Sequence, residues 1–159
     1  MPTDAFNFTP ESFEQLVRAL SLSVFGKGVV IFGNGPDGGR EATFNGKMPY
    51  PTEIDGWHGY GVIQAKCKEK MESTNVDQKW AIEQLRKELE LFVTNEKRNP
   101  KPEYYVFVTN VELSSVSNGG IDSASQEIQS YYGKLPLKGH AVWDRNKLGS
   151  SAEFVGKRF

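Results

Sequence analysis

The sequence predicts an α/β fold in which a mixed central β-sheet is flanked by helices. Three observations carry this. Short β-branched apolar runs stand at residues 29–32, 60–67 and 105–111. Two stretches, 13–20 and 76–92, repeat apolar residues at helical spacing. The two kinds alternate as helix, three strands, helix, strand, helix, strand, which is the order of a layered α/β domain. With 159 residues the chain is long enough for one domain and too short for two ordinary ones, so residues 1–159 are read as a single unit.

Thr9-Pro10-Glu11-Ser12 reads as a helix start, with Thr9 as cap and Pro10 at the first helical position. Ser12 stands where a full capping box would carry an acid or amide. Phe13, Leu16, Val17 and Leu20 form the apolar stripe of about three to four turns, and Glu14 and Arg18 lie off it as an i,i+4 pair. The run 29–32 reads as a buried strand and 41–44 as a second, ended by the turn dipeptide Asn45-Gly46. Residues 47–57 read as loop and 60–67 as the third strand. Asn75-Val76-Asp77 opens a long helix with Ile82, Leu85, Leu89 and Phe92 on one stripe, broken at 97–102. Residues 105–111 are apolar on both faces and predict an interior strand. A turn at 118–120, a helix over 123–132, a strand at 140–143 and a short helix or tail complete the chain.

Composition narrows the function classes. The single cysteine, Cys67, excludes an internal disulfide and a cysteine zinc site, and His58 and His140 are too far apart in sequence to suggest a histidine metal pair. No apolar run approaches membrane-spanning length, and the first residues lack a signal-peptide pattern, so a cytoplasmic protein is expected. A net charge of −1 argues against holding nucleic acid by long-range field alone. DNA contact would have to rest on local clusters plus a metal. The clusters are Lys66, Lys68 and Lys70, then Lys97, Arg98 and Lys101, then Arg145 and Lys147; a solvated surface is their ordinary meaning.

The most distinctive segment is the loop Gly33-Asn34-Gly35-Pro36-Asp37-Gly38-Gly39-Arg40-Glu41. Gly33, Gly35 and Gly38 satisfy G-x-G-x-x-G after a strand, yet a dinucleotide site needs a helix to start at the loop. Here Asn45-Gly46, Pro49 and Pro51 follow too soon. No Gly-Lys-Ser/Thr closes a P-loop. A plain glycine-rich hairpin turn is the alternative. The partner strand gives the loop a use, because alternation puts Val62, Gln64, Lys66 and Lys68 on one face and Ile63, Ala65 and Cys67 on the other. The apolar set is expected to face the core, leaving Gln64 and Lys66 about 7 Å apart on a polar surface. An ordinary edge-strand pair is the bland account. With a carboxylate from Glu41 or Asp37, the Gln64 amide oxygen and the Ala65 carbonyl, the pair would hold one Mg²⁺. Lys66 would orient or deprotonate the attacking water and stabilise phosphate charge.

These residues resemble the PD-(D/E)xK restriction-endonuclease superfamily, and within it the Mrr-like branch whose last motif is Q-x-K. The resemblance rests on Glu14, the loop ending at Glu41, and Val62-Ile63-Gln64-Ala65-Lys66, over roughly residues 10–112. It implies a core of order αβββαβ and a metal-dependent DNA endonuclease using Mg²⁺, with Mn²⁺ as a substitute. It implies Glu14, Asp37, Glu41, Gln64 and Lys66 as catalytic residues and Asp37, Glu41, Gln64 and Ala65 around the metal. Arg40, Lys68 and Lys70 are the candidates to contact DNA, double-stranded by expectation. Relatives often carry Asp where Glu41 stands, so Asp37 remains an alternative main ligand. The chain is also similar to nuclease effector domains at the N-termini of bacterial antiphage proteins, including STAND-type NTPases. That implies NTPase or sensor domains downstream, and because cutting both strands of a duplex needs two active sites, a homo-oligomer is expected when active. The competing reading is a catalytically degenerate module that binds DNA or a partner protein; the weak basic balance and Gln64 favour it.

Overall fold

The computed structural model describes residues 9–31, 42–117 and 119–149. Helix α1 (Pro10–Phe25) is followed by a 3₁₀ turn and strand β1 (Val29–Ile31), then β2 (Ala42–Lys47) and β3 (His58–Lys66). Helix α2 (Thr74–Thr94), β4 (Tyr104–Thr109), α3 (Gly120–Gln129) and β5 (Gly139–Trp143) complete the order. The five strands form one sheet in sequence order, with β1–β2–β3 antiparallel and β3–β4–β5 parallel. The α/β class and the mixed, helix-flanked sheet expected from the sequence are therefore present. The parallel half needs crossovers, which α2 and α3 supply.

At the start of α1, Ser12 does the work of the missing acid. Its hydroxyl accepts from the Thr9 amide at 2.9 Å while Thr9 Oγ1 accepts from the Ser12 amide at 3.1 Å, a reciprocal box. Phe13, Val17, Leu20 and Phe25 then bury one face against Ala42, Phe44, Ile63, Val106 and Val108. On the opposite face of the sheet, Ala81, Leu85, Leu89 and Phe92 of α2 and Ala124 and Ile128 of α3 cover Val62, Tyr105 and Phe107. Both faces of β3 and β4 are thus core. That corrects the expectation that one face of β3 is a polar surface: a strand between two helical layers has no solvent side.

Asn45-Gly46 does not end β2, which runs on through Lys47 with Asn45 opposite Tyr60, Gly46 opposite Gly59 and Lys47 opposite His58. The reversal falls later, where Met48 and Trp57 pair through their backbones at 2.7 Å and Asp55 N–H donates to Thr52 Oγ1. The reason is aromatic packing. Phe25, Phe44, Tyr50, Trp57, Tyr104 and Trp143 stack into one cluster, with Phe25 and Phe44 rings 4.5 Å apart, which holds the 48–57 connection against the sheet. Gly61, opposite Phe44, leaves room for its ring: a Cβ there would lie 2.0 Å from Phe44 Cζ. Helix α3 starts at Gly120, three residues before the expected Ser123.

Candidate active site

Strand β3 brings Gln64 and Lys66 to one face near its C-terminal end, where the register against β4 pairs Gln64 with Phe107 and Lys66 with Thr109. The described register against β2 ends at Ala42 opposite Ile63. The chain therefore joins β2 at the end of the sheet where Gln64 and Lys66 lie. Asp37, Arg40 and Glu41 fall outside the described residues.

Gln64 is fully buried rather than at a polar surface. Its amide oxygen accepts from the Tyr105 hydroxyl, and its Nε2 donates to Glu88 Oε1 at 3.2 Å. Lys66 Nζ lies 2.7 Å from Glu88 Oε2, and Arg98 Nη1 lies 2.7 Å from Glu88 Oε1. One carboxylate thus takes donors from Gln64 and Lys66 of the strand and from Arg98, which lies just past the end of its own helix. It is a charge-assisted network, which is how buried charge is tolerated. Burial by itself would raise the Glu88 carboxyl's pKa, yet hydrogen bonds from Lys66 and Arg98 outweigh it and hold the group below its ordinary value. Tyr105 is pushed well above the usual phenol range, first by burial and then by the Glu88 charge, so it remains a neutral donor to Gln64. The Arg98 guanidinium also lies over the Phe92 ring, 5.1 Å from its centroid.

The other expected residues are distributed differently. Glu14 belongs to α1, which covers the opposite face from Gln64 and Lys66; its side chain lies 3.8 Å from Arg18 and its charge acts on Cys67. Alternation also turns the Ala65 side chain toward that face, among the α1 core. Lys68 is an internal contact rather than a free DNA-facing cation. Its ammonium sits 3.0 Å from Asp77 Oδ1 and donates to the Lys70 carbonyl at 2.7 Å, with 12% of the side chain exposed. Lys70 is exposed and keeps its candidacy for a phosphate contact.

Just beyond the site, Asn110 takes the place of a further pair of sheet residues. Its Oδ1 accepts from the Lys68 amide at 2.8 Å and its Nδ2 donates to the Lys68 carbonyl at 2.9 Å, locking the exit of β3 to that of β4. Asp144 does similar work at the exit of β5. Its Oδ2 accepts from the Leu113 amide at 2.9 Å and its Oδ1 from the Lys147 amide at 3.1 Å.

Glu88, Arg98 and Tyr105 escaped the sequence reading as members of one constellation. For Glu88 a signal exists: it falls three residues after Leu85 and four before Phe92, on the apolar stripe of α2, and an acid there asks for a buried partner. Arg98 carries no comparable signal, because it lies past the helix in a polar segment.

Among the described residues no group of three or more His, Cys, Asp or Glu could hold a metal ion. Gln64 and Glu88 do not amount to a Mg²⁺ site by themselves, and Glu88 is committed to two cations. No helix among the described residues is long and apolar enough to cross a membrane. Comparison with protein-family models, with curated proteins and with solved structures finds no match.

Proposed function

We propose that the chain is a Mg²⁺-dependent endonuclease that hydrolyses phosphodiester bonds in DNA and acts as an antiphage effector. The observation that carries the reading is the pairing of Gln64 and Lys66 on one face at the end of β3, both held by hydrogen bonds, at the end of the sheet where β2 begins. Pre-organised polar groups at a fixed point are what phosphate chemistry requires of a protein. Asp37 and Glu41, which precede β2 in the chain, are the residues that would complete a metal site with Gln64. When bound, Mg²⁺ would polarise the scissile phosphoryl group.

Lys66 acts here as an ammonium. Ion-paired with Glu88, it supplies positive charge and N–H donors to a phosphate oxygen, and orienting water falls to it more naturally than taking a proton. Glu14 acts at a distance in this reading, since its helix covers the other face.

Lys66→Ala is expected to abolish plasmid cleavage in Mg²⁺ while melting as a folded protein; wild-type cutting by that variant refutes the assignment. The reading as a binding module is favoured by one observation, that the Gln64 amide oxygen already accepts from Tyr105. Calorimetric titration with Mg²⁺ or Mn²⁺ separates the two. A nuclease gives heat that Glu41→Ala or Asp37→Ala removes, and a binding module gives none.

A further inference from the structure

We propose that Glu88 is a positioning residue that fixes the Lys66 ammonium at the reacting phosphate, an inference that rests on the nuclease reading. Lysine ends a flexible four-carbon stem, and holding its nitrogen at one point costs side-chain freedom. Glu88 provides the restraint. Its Oε2 lies 2.7 Å from Lys66 Nζ while its Oε1 is held by Gln64 Nε2 at 3.2 Å and Arg98 Nη1 at 2.7 Å. The carboxylate cannot follow a wandering lysine without breaking its other two bonds. Its helix is fixed in turn, with Leu85, Leu89 and Phe92 buried beside it.

Charge explains why Arg98 is there. A Lys–Glu pair alone is neutral and offers nothing to an anion, whereas Lys66, Arg98 and Glu88 together sum to +1 − 1 + 1, or +1. Exposure says where that charge is presented. Arg98 and Glu88 keep 10% and 9% of their side chains exposed and Lys66 keeps 25%, so the accessible member of the trio is the ammonium. The arrangement holds Lys66 in place without cancelling its charge.

The test pairs cleavage kinetics on duplex DNA in Mg²⁺ with reductive methylation of lysines by formaldehyde and cyanoborohydride, read by mass spectrometry. Glu88→Asp keeps the charge but withdraws the carboxylate by one methylene. It is expected to lower kcat at least tenfold with KM within twofold, and to speed methylation of Lys66 at least threefold. Arg98→Met, which leaves the Lys66–Glu88 contact in place but removes one of the two bonds on Glu88 Oε1, is expected to speed Lys66 methylation less than Glu88→Asp does. Wild-type kcat in Glu88→Asp, a loss confined to KM, or unchanged Lys66 methylation overturns the proposal. So does equal acceleration by both substitutions, the mark of a merely structural role. In the wild-type protein alone, Lys66 must methylate more slowly than exposed Lys70; equal rates overturn the proposal without any variant. If wild-type protein cuts no DNA, the nuclease reading falls, and the methylation rates still decide whether Glu88 holds Lys66.

Discussion

Replacing Asn110 by alanine removes the side chain that stitches the end of β3 to the end of β4, two residues beyond Lys66. Asn110 is 3% exposed and makes two hydrogen bonds to the Lys68 backbone, at 2.8 and 2.9 Å. Each neutral hydrogen bond contributes about 1 kcal/mol net, and leaving a backbone N–H and C=O without partners adds a desolvation cost, so the loss should be about 2–3 kcal/mol. With a urea m-value of about 2 kcal/mol/M, the unfolding midpoint falls by about 1–1.5 M. Asn110→Asp keeps the acceptor but turns an oxygen toward the Lys68 carbonyl, so it should be no better than alanine. Urea denaturation followed by fluorescence measures the midpoint, and hydrogen exchange at the Lys68 amide reports the local bond. Asn110→Ala with a midpoint near the wild-type value and an equally protected Lys68 amide would refute the account of how the site's end of the sheet is fixed.

Gly61→Ala should destabilise by about 1–3 kcal/mol through overpacking, because the new methyl meets the Phe44 ring, and adding Phe44→Leu should recover part of the loss in a thermal melt. His140, 2.7 Å from both Ser125 Oγ and Tyr132 Oη, has its pKa lowered from 6.5 by burial. The neutral ring is the folded form, so its contribution is complete above that ordinary value and is lost as pH falls through the lower folded one. Wild type should therefore lose stability between neutral and mildly acid pH relative to its own maximum, and His140→Asn should lack that decline in urea titrations at stepped pH. Burial, followed by the charges of Glu69 and Glu14, pushes the Cys67 thiol from 9.0 up to about 11. At pH 8 its thiolate fraction is then about 100-fold smaller; the greater nucleophilicity of a more basic thiolate offsets part of this, and iodoacetamide alkylation monitored by mass should slow by about tenfold or more against a free thiol of the ordinary value.

The strand face of Gln64 and Lys66 was legible from alternation alone, since period two admits no other arrangement in a regular strand. What alternation could not say is what lies above that face. Three polar members, Gln64, Lys66 and Lys68, point to a polar surface, whereas α2 covers it and Glu88 and Tyr105 supply the polar partners that burial demands. Asn45-Gly46 misled for a related reason. The dipeptide favours a hairpin turn locally, but the aromatic cluster formed by Tyr50, Trp57 and their neighbours draws the strand pairing on to Lys47 and His58.

Lys68 shows the same dependence on tertiary partners. Three lysines at alternate positions read as one basic stripe, yet Lys66 finds Glu88, Lys68 finds Asp77, and Lys70 alone is exposed. A cation's availability depends on acids brought in from another element, and α2 carries both of these. Periodicity acts between neighbours in the chain, so the sequence alone determined the element types, their order and which residues share a strand face. Partnership acts across 20 or so residues of intervening chain, as between Lys66 and Glu88. That was decided when the helix packed onto the sheet, because only packing brings charges from separate elements out of water and obliges them to pair.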